Sequence, residues 1–194
     1  SVARFATHSN IPVINAGDGV NQHPTQALLD LYTILSEKES LSGLTIGFLG
    51  DMKHARTIKS LLPLLQHYNI NFVFISHPDL QITAEMRESL ALYKGSFLES
   101  DNLLDVLPDL DVLYATRLQE ERFLTKADAL SYKSQFCITP DVLSTSKKDM
   151  ILMHPLPRLD EIHPDCDRDN RSVYFKQARN AVFVRMALLW ALSS

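Results

Sequence analysis

Four places in the chain carry histidine, glutamine or arginine at spacings suited to holding and polarising a small anion. His23-Pro24-Thr25-Gln26 runs directly into the apolar-periodic Ala27, Leu28, Leu31, Ile34 and Leu35, which predicts a helix whose opening turn carries polar groups. Pro24 suits the first helical position, where its missing N–H is no loss. His23 and Gln26 are three apart and so share one side of that helix; a merely capped surface helix is the alternative. Arg56 follows Gly50-Asp51-Met52-Lys53-His54-Ala55, and Arg117 and Gln119, two apart, face the same way if the chain there is extended. The fourth cluster, His154-Pro155-Leu156-Pro157-Arg158, is a turn stiffened by two prolines. Two guanidinium groups converging on one rim fit a ligand with two carboxylates, since each can grip one through paired, charge-assisted hydrogen bonds. The competing arrangement pairs Arg56 with Asp51 and Arg117 with Glu121 on a solvated surface, where such pairs contribute little.

The elements that would position these groups alternate in type. Residues 44–49, 70–76, 111–115 and 150–153 are short and almost continuously apolar, as strands buried on both faces must be, and 96–98 form a weaker fifth. Helical patterns occupy 55–68, 84–94 and 102–107, with Pro63 expected to kink or split the first. The fold class is therefore α/β: a doubly wound parallel sheet of about five strands flanked by helices. Ligands bind such sheets at the carboxyl ends of the strands, where three of the four clusters fall. Residues 122–148 read as a loop with short helical turns. At the ends, 2–8 resemble the tail of a helix and 12–15 a short strand, together the remnant of a preceding α/β domain. Residues 177–192 form a helix whose apolar positions nearly encircle it, which calls for burial on more than one side.

Composition narrows the function classes. A net charge of −4, with 45% hydrophobic and 22% charged residues, gives no reason to expect nucleic acid or an anionic membrane as partner, so an anion site must be local. Cys137 and Cys166 stand in no metal-ligand spacing and no secretory leader precedes them, which points to a reducing compartment and a cytoplasmic protein. No apolar run has the length of a membrane span. Gly47 and Gly50 lack the third glycine of a dinucleotide fingerprint, there is no P-loop, and the seven histidines show no zinc spacing; no metal or cofactor is expected. His54, His67 and His77 read as surface or packing residues, and His163 as part of a turn.

Five strings in order, NAGDGVNQHPTQALLDLYTI from residue 15, GDMKHARTIKSL from 50, LYATRLQEERF from 113, LMHPLPRLDEI from 152 and YFKQARNAVFVRMALL from 174, make the chain similar to the C-terminal portion of aspartate carbamoyltransferases. These enzymes join carbamoyl phosphate to aspartate in pyrimidine synthesis. The related ornithine enzymes carry a cysteine within the HxLP turn and a different amino-acid loop, so Pro155 and the Arg117/Gln119 pair favour aspartate. The resemblance implies that His23 polarises the carbonyl of carbamoyl phosphate and that Gln26 meets the carbamoyl amide. Arg56 would hold the α-carboxylate of L-aspartate, Arg117 its β-carboxylate, and Gln119 would orient the amino group. Pro155 and Leu156 would offer backbone carbonyls, and Glu121 would steady Arg117, with no metal, cofactor or covalent intermediate.

The resemblance also implies boundaries. Residues 1–22 would be the remnant of a carbamoyl phosphate domain, 23–176 the aspartate-binding domain with 23–38 as a bridging helix, and 177–194 an interdomain helix. The family's Ser-Thr-Arg-Thr-Arg phosphate loop, a further arginine, and a serine and lysine lent by a neighbouring subunit are not in the sequence, so the chain is expected to be inactive alone. Family members are homotrimers. Ala181 stands where glycine is usual, and Glu120 where a basic residue is common. A non-catalytic binding or scaffold protein of the same family is the alternative function.

Overall fold

The computed structural model describes residues 2–117 and 136–193. Five strands, β1 (Thr45–Leu49), β2 (Asn71–Ile75), β3 (Phe97–Ser100), β4 (Val112–Ala115) and β5 (Ile151–Met153), form one parallel sheet in the order β3-β2-β1-β4-β5. The order reverses direction at β1, so the crevice between the carboxyl ends of β1 and β4 is the topological switch point, the place where such sheets bind ligands.

The side chains of β1, β2, β4 and β5 alternate between two apolar layers, which is why these segments lack the polar alternation of a half-exposed sheet, whereas the edge strand β3 is largely exposed. On one face Ile46, Phe48, Phe72, Phe74, Val112 and Tyr114 pack beneath α2 (Pro24–Lys38), α3 (Arg56–Leu65) and α4 (Ala84–Ala91). Phe48 lies at the centre of this layer, stacked on Phe74 at 5.7 Å between ring centroids and meeting Tyr114 edge-on at 5.9 Å. Such pairs add to area burial through quadrupole complementarity. On the other face Leu49, Val73, Ile75, Leu113, Ala115 and Leu152 meet α5 (Leu103–Val106), α6 (Pro140–Ser144) and Tyr174, the first residue of α7 (Tyr174–Ser193).

Two expectations are corrected. Pro63 does not split α3; it falls in the last turn, where only the bond to Lys59 is lost and the chain is about to leave the helix anyway. Residues 12–15 form no strand, because no neighbouring strand among the described residues stands beside them, and a lone extended segment has no ladder. They follow α1 (Val2–Ala6). Within this chain the last helix is covered on one side: Tyr174, Gln177, Asn180 and Ala181 are buried, whereas Val182, Phe183, Met186, Leu189 and Trp190, part of the apolar surround the sequence expects something outside the sheet domain to cover, are exposed.

One glycine matters for the site. Gly50, at φ +128°, ends β1 so close to β4 that an added Cβ would lie 2.4 Å from Thr116 Oγ1 and 2.8 Å from its carbonyl oxygen. Only glycine lets the two strand ends approach this closely, and that approach sets the distance between the loops carrying Arg56 and Arg117.

Candidate active site

At the carboxyl ends of β1, β4 and β5 a groove of about 350 Å³ is lined by Gly19, Arg56, Arg117, His154, Pro155 and Leu156, among others. Arg56 opens α3 immediately after the β1 loop, and Arg117 follows β4 by two residues. Arg56 does not pair with Asp51: Asp51 accepts the backbone N–H of His54 at 3.0 Å and its carboxylate lies 3.0 Å from His54 Nδ1. Arg56 instead donates from Nη1 to the Gly19 carbonyl oxygen at 2.5 Å. His54, read from the sequence as surface or packing, lines the groove. Gln119 and Glu121 lie outside the described residues.

His23 caps α2 with its backbone: its carbonyl accepts the N–H groups of Gln26 at 3.0 Å and Ala27 at 3.1 Å, while its own N–H donates to Ser60 Oγ at 2.8 Å. The ring is thereby carried next to the groove. A Cβ on Gly17 would lie 3.7 Å from His23 Nδ1 and 3.8 Å from Arg56 Nη1, so the two side chains border one small space. His23 Nδ1 is buried with no hydrogen-bond partner among the described residues. Burial, reinforced by the positive charges of Arg56 and Arg185, holds the imidazole below the usual histidine range and therefore uncharged near neutrality.

Gln26, the other polar residue of this turn, is engaged with a group that sequence reading passed over. Its Nε2 donates to Asp30 Oδ1 at 2.8 Å, as does Gln177 Nε2 at 2.6 Å, while Tyr114 donates its hydroxyl to Asp30 Oδ2 at 2.7 Å. Asp30 is fully buried, and burial pushes its carboxyl up to about 6 against the three hydrogen bonds that favour the charged form. A native carboxyl raised from 3.8 to about 6 binds protons more tightly than the unfolded chain does. Its contribution to stability is thus full below about pH 4 and lost as the pH rises through 6, on the order of 3 kcal/mol in all. Measured by urea unfolding, Asp30→Asn should gain stability relative to the unmodified chain between pH 4 and pH 7.5; a difference independent of pH counts against it.

The turn after β5 rests on His154, whose supporting role the sequence pattern did not reveal. Its side chain is buried, Nδ1 accepts the Leu156 N–H at 2.9 Å, and Nε2 lies 2.7 Å from Glu161 Oε1. Burial raises the Glu161 carboxyl, but the approach of His154 and the Leu159 N–H outweigh it and hold it low. Leu156, at φ +54°, occupies the left-handed region that side chains other than glycine avoid, a conformation of about 1–3 kcal/mol that persists only where surroundings enforce it. The His154 backbone N–H donates to Gln177 Oε1 at 2.9 Å, so the turn is joined through Gln177 to Asp30. Arg158 is committed elsewhere, paired with Asp167 and donating to Tyr174 Oη at 2.8 Å.

A doubly wound parallel sheet with a groove at its switch point defines the class of α/β domains that bind ligands at the carboxyl ends of their strands. Known proteins narrow that class. Residues 42–192 match the family model described as aspartate/ornithine carbamoyltransferase, Asp/Orn binding domain, and residues 1–36 match that of the carbamoyl-P binding domain. The aspartate carbamoyltransferase catalytic subunit of Lachnoclostridium phytofermentans is 47% identical over 190 residues, covering 96% of this chain and 62% of the relative. Among solved structures, the catalytic subunit of M. jannaschii aspartate transcarbamoylase superposes with a TM-score of 0.93 at 40% identity, covering 98% of this chain and 62% of that one. The Trypanosoma cruzi enzyme in complex with carbamoyl phosphate and aspartate gives 0.90 at 36% identity, covering 98% and 61%. The chain belongs to the aspartate/ornithine carbamoyltransferase family and spans about three fifths of the length of these three relatives. Among the described residues no helix is long and apolar enough to cross a membrane.

Proposed function

We propose that this chain supplies the aspartate-binding half of an aspartate carbamoyltransferase, acting with a carbamoyl phosphate domain and assembling as a trimer, and that it does not turn over alone. Arg56 takes the α-carboxylate of L-aspartate and Arg117 its β-carboxylate, with Gln119 orienting the amine and Glu121 steadying Arg117. The amine attacks the carbonyl carbon of carbamoyl phosphate; the new C–N bond forms, the C–O bond to phosphate breaks, and the departing phosphate takes the amine proton. His23, an uncharged imidazole, donates to the carbonyl oxygen as it gains charge, while Gln26 and the backbone carbonyls of Pro155 and Leu156 hold the nitrogens. Fixing both reactants replaces a collision with a near-unimolecular step, and a donor aimed at the developing oxyanion lowers the barrier.

The observation that carries this reading is the placement of Arg56, Arg117 and the Pro155–Leu156 turn around one groove beside the His23 ring. The test is to mix the chain with the separately made N-terminal segment of the Lachnoclostridium catalytic subunit and assay N-carbamoyl-L-aspartate. Product from the mixture and none from either part is expected. Stable association without product would replace this reading with a non-catalytic binding or scaffold role.

A further inference from the structure

Burying an ionisable group is costly unless it is paired or hydrogen-bonded, and Asp30 is buried beneath the proposed active site without itself lining the groove. Its partners come from three elements: Gln26 on its own helix, Tyr114 from β4 and Gln177 from α7. The direction of each bond is forced. A carboxylate can only accept, so whichever end of a glutamine amide faces it must be the NH₂ group. Gln177 is fixed independently at its other end, where its Oε1 accepts the His154 backbone N–H, a group that can only donate. Oδ1 of Asp30 is therefore held as an acceptor by Gln177 whatever Gln26 does.

It follows that Gln26 cannot rotate its amide by half a turn without setting its carbonyl oxygen against the Asp30 carboxylate. Its Nε2 is tied inward, and its Oε1 has no donor on it among the described residues. Were Nε2 free, a glutamine at this position could present either end to a ligand, accepting from a carbamoyl NH₂ or donating to a carbonyl oxygen with little preference.

We propose that Asp30 is a positioning residue that locks the Gln26 amide with its carbonyl oxygen toward the ligand, so that the site selects a carbamoyl group over an acyl group that has no N–H. The proposal rests on the reading of the function given above. The Gln177–His154 link extends the same anchor to the Pro155–Leu156 turn, whose backbone carbonyls are also acceptors. The Gln26 oxygen and the carbonyls of this turn are then acceptors held in place from below. A site built to receive N–H discriminates against an analogue lacking it because its acceptors are left unpaired.

Two measurements test this. In the ¹⁵N-labelled chain by itself, the Gln26 side-chain amide, assigned by its loss in Gln26→Leu, should exchange its protons slowly with solvent; it should exchange quickly in Asp30→Ala, where water can both donate and accept. Fast exchange in the unmodified chain overturns the proposal whether or not the assembled enzyme makes product, which keeps it separate from the functional reading. In the assembled enzyme, Asp30→Ala should lower kcat/KM for carbamoyl phosphate about tenfold to thirtyfold while inhibition by acetyl phosphate stays within about twofold. Asp30→Asn should restore turnover to within about threefold, because its Oδ1 still accepts from both glutamines while Tyr114 turns to accept from its NH₂. Equal losses for both ligands, or an Asn variant as impaired as Ala, would show a merely structural role and overturn the proposal.

Discussion

Arg117→Ala in the assembled enzyme should raise the KM for aspartate about a hundredfold and leave that for carbamoyl phosphate within about twofold. Arg117 is set by backbone before its side chain does anything. The preceding Thr116 donates its N–H to the Leu49 carbonyl at 2.8 Å and its hydroxyl to the same oxygen at 3.1 Å, so the end of β4 is pinned to the end of β1. Gly50 permits that approach. A guanidinium projecting from a fixed Cα loses less freedom on binding than one on a loose loop, and its planar fork matches a carboxylate through two parallel bonds. Such charged hydrogen bonds contribute about 1.5–3 kcal/mol, and about 2.7 kcal/mol is a hundredfold in affinity. Arg117→Lys should recover only part of the loss, since an ammonium keeps the charge but not the fork. Steady-state kinetics with each substrate varied in turn decides the matter; unchanged aspartate kinetics in the alanine variant removes Arg117 from the clamp.

The sheet and the groove were legible in the sequence for the same reason: both depend on local pattern plus one topological rule. Continuous apolar runs such as 44–49 mark strands covered on both faces, and the polar residues that follow them must then sit at the carboxyl rim, which is where Arg56, Arg117, Pro155 and Leu156 are found. What could not be read is what depends on distant partners. Asp30 looks like an ordinary acid in a helix; its spacing of four from Gln26 is the only local hint, and its other two partners are 84 and 147 residues away. His154 was visible as the first residue of a proline-rich turn, but its role depends on Glu161 and on Leu156 adopting a positive φ. The all-round apolarity of the last helix was correctly seen as a pattern, yet burial is a property of neighbours, and residues beyond Ala181 have few among those described.

His23→Ala should lower kcat of the assembled enzyme by about 10²- to 10³-fold, the range seen on deleting a single oxyanion donor, with the aspartate KM changed less than about threefold. The two parts of His23 are separable. Its backbone starts α2 and binds Ser60, contacts that alanine preserves, so the fold should survive; its ring alone borders the space beside Arg56. Because burial, Arg56 and Arg185 all disfavour the imidazolium, the ring is neutral at and above ordinary histidine titration. It can then donate one N–H without adding a charge that would repel the two arginines. The sign of the pH effect follows: a depressed pKa means His23 protonates only at acid pH, so kcat should hold steady from pH 8 down past the usual histidine midpoint of about 6.5 and fall only below it. If kcat in the unmodified enzyme instead rose as the pH dropped through 6.5, the working form would be the imidazolium, and the assignment of a neutral donor would be wrong. The alanine variant supplies the control, since the limb belonging to His23 must vanish from its profile while any limb from aspartate's own amine remains.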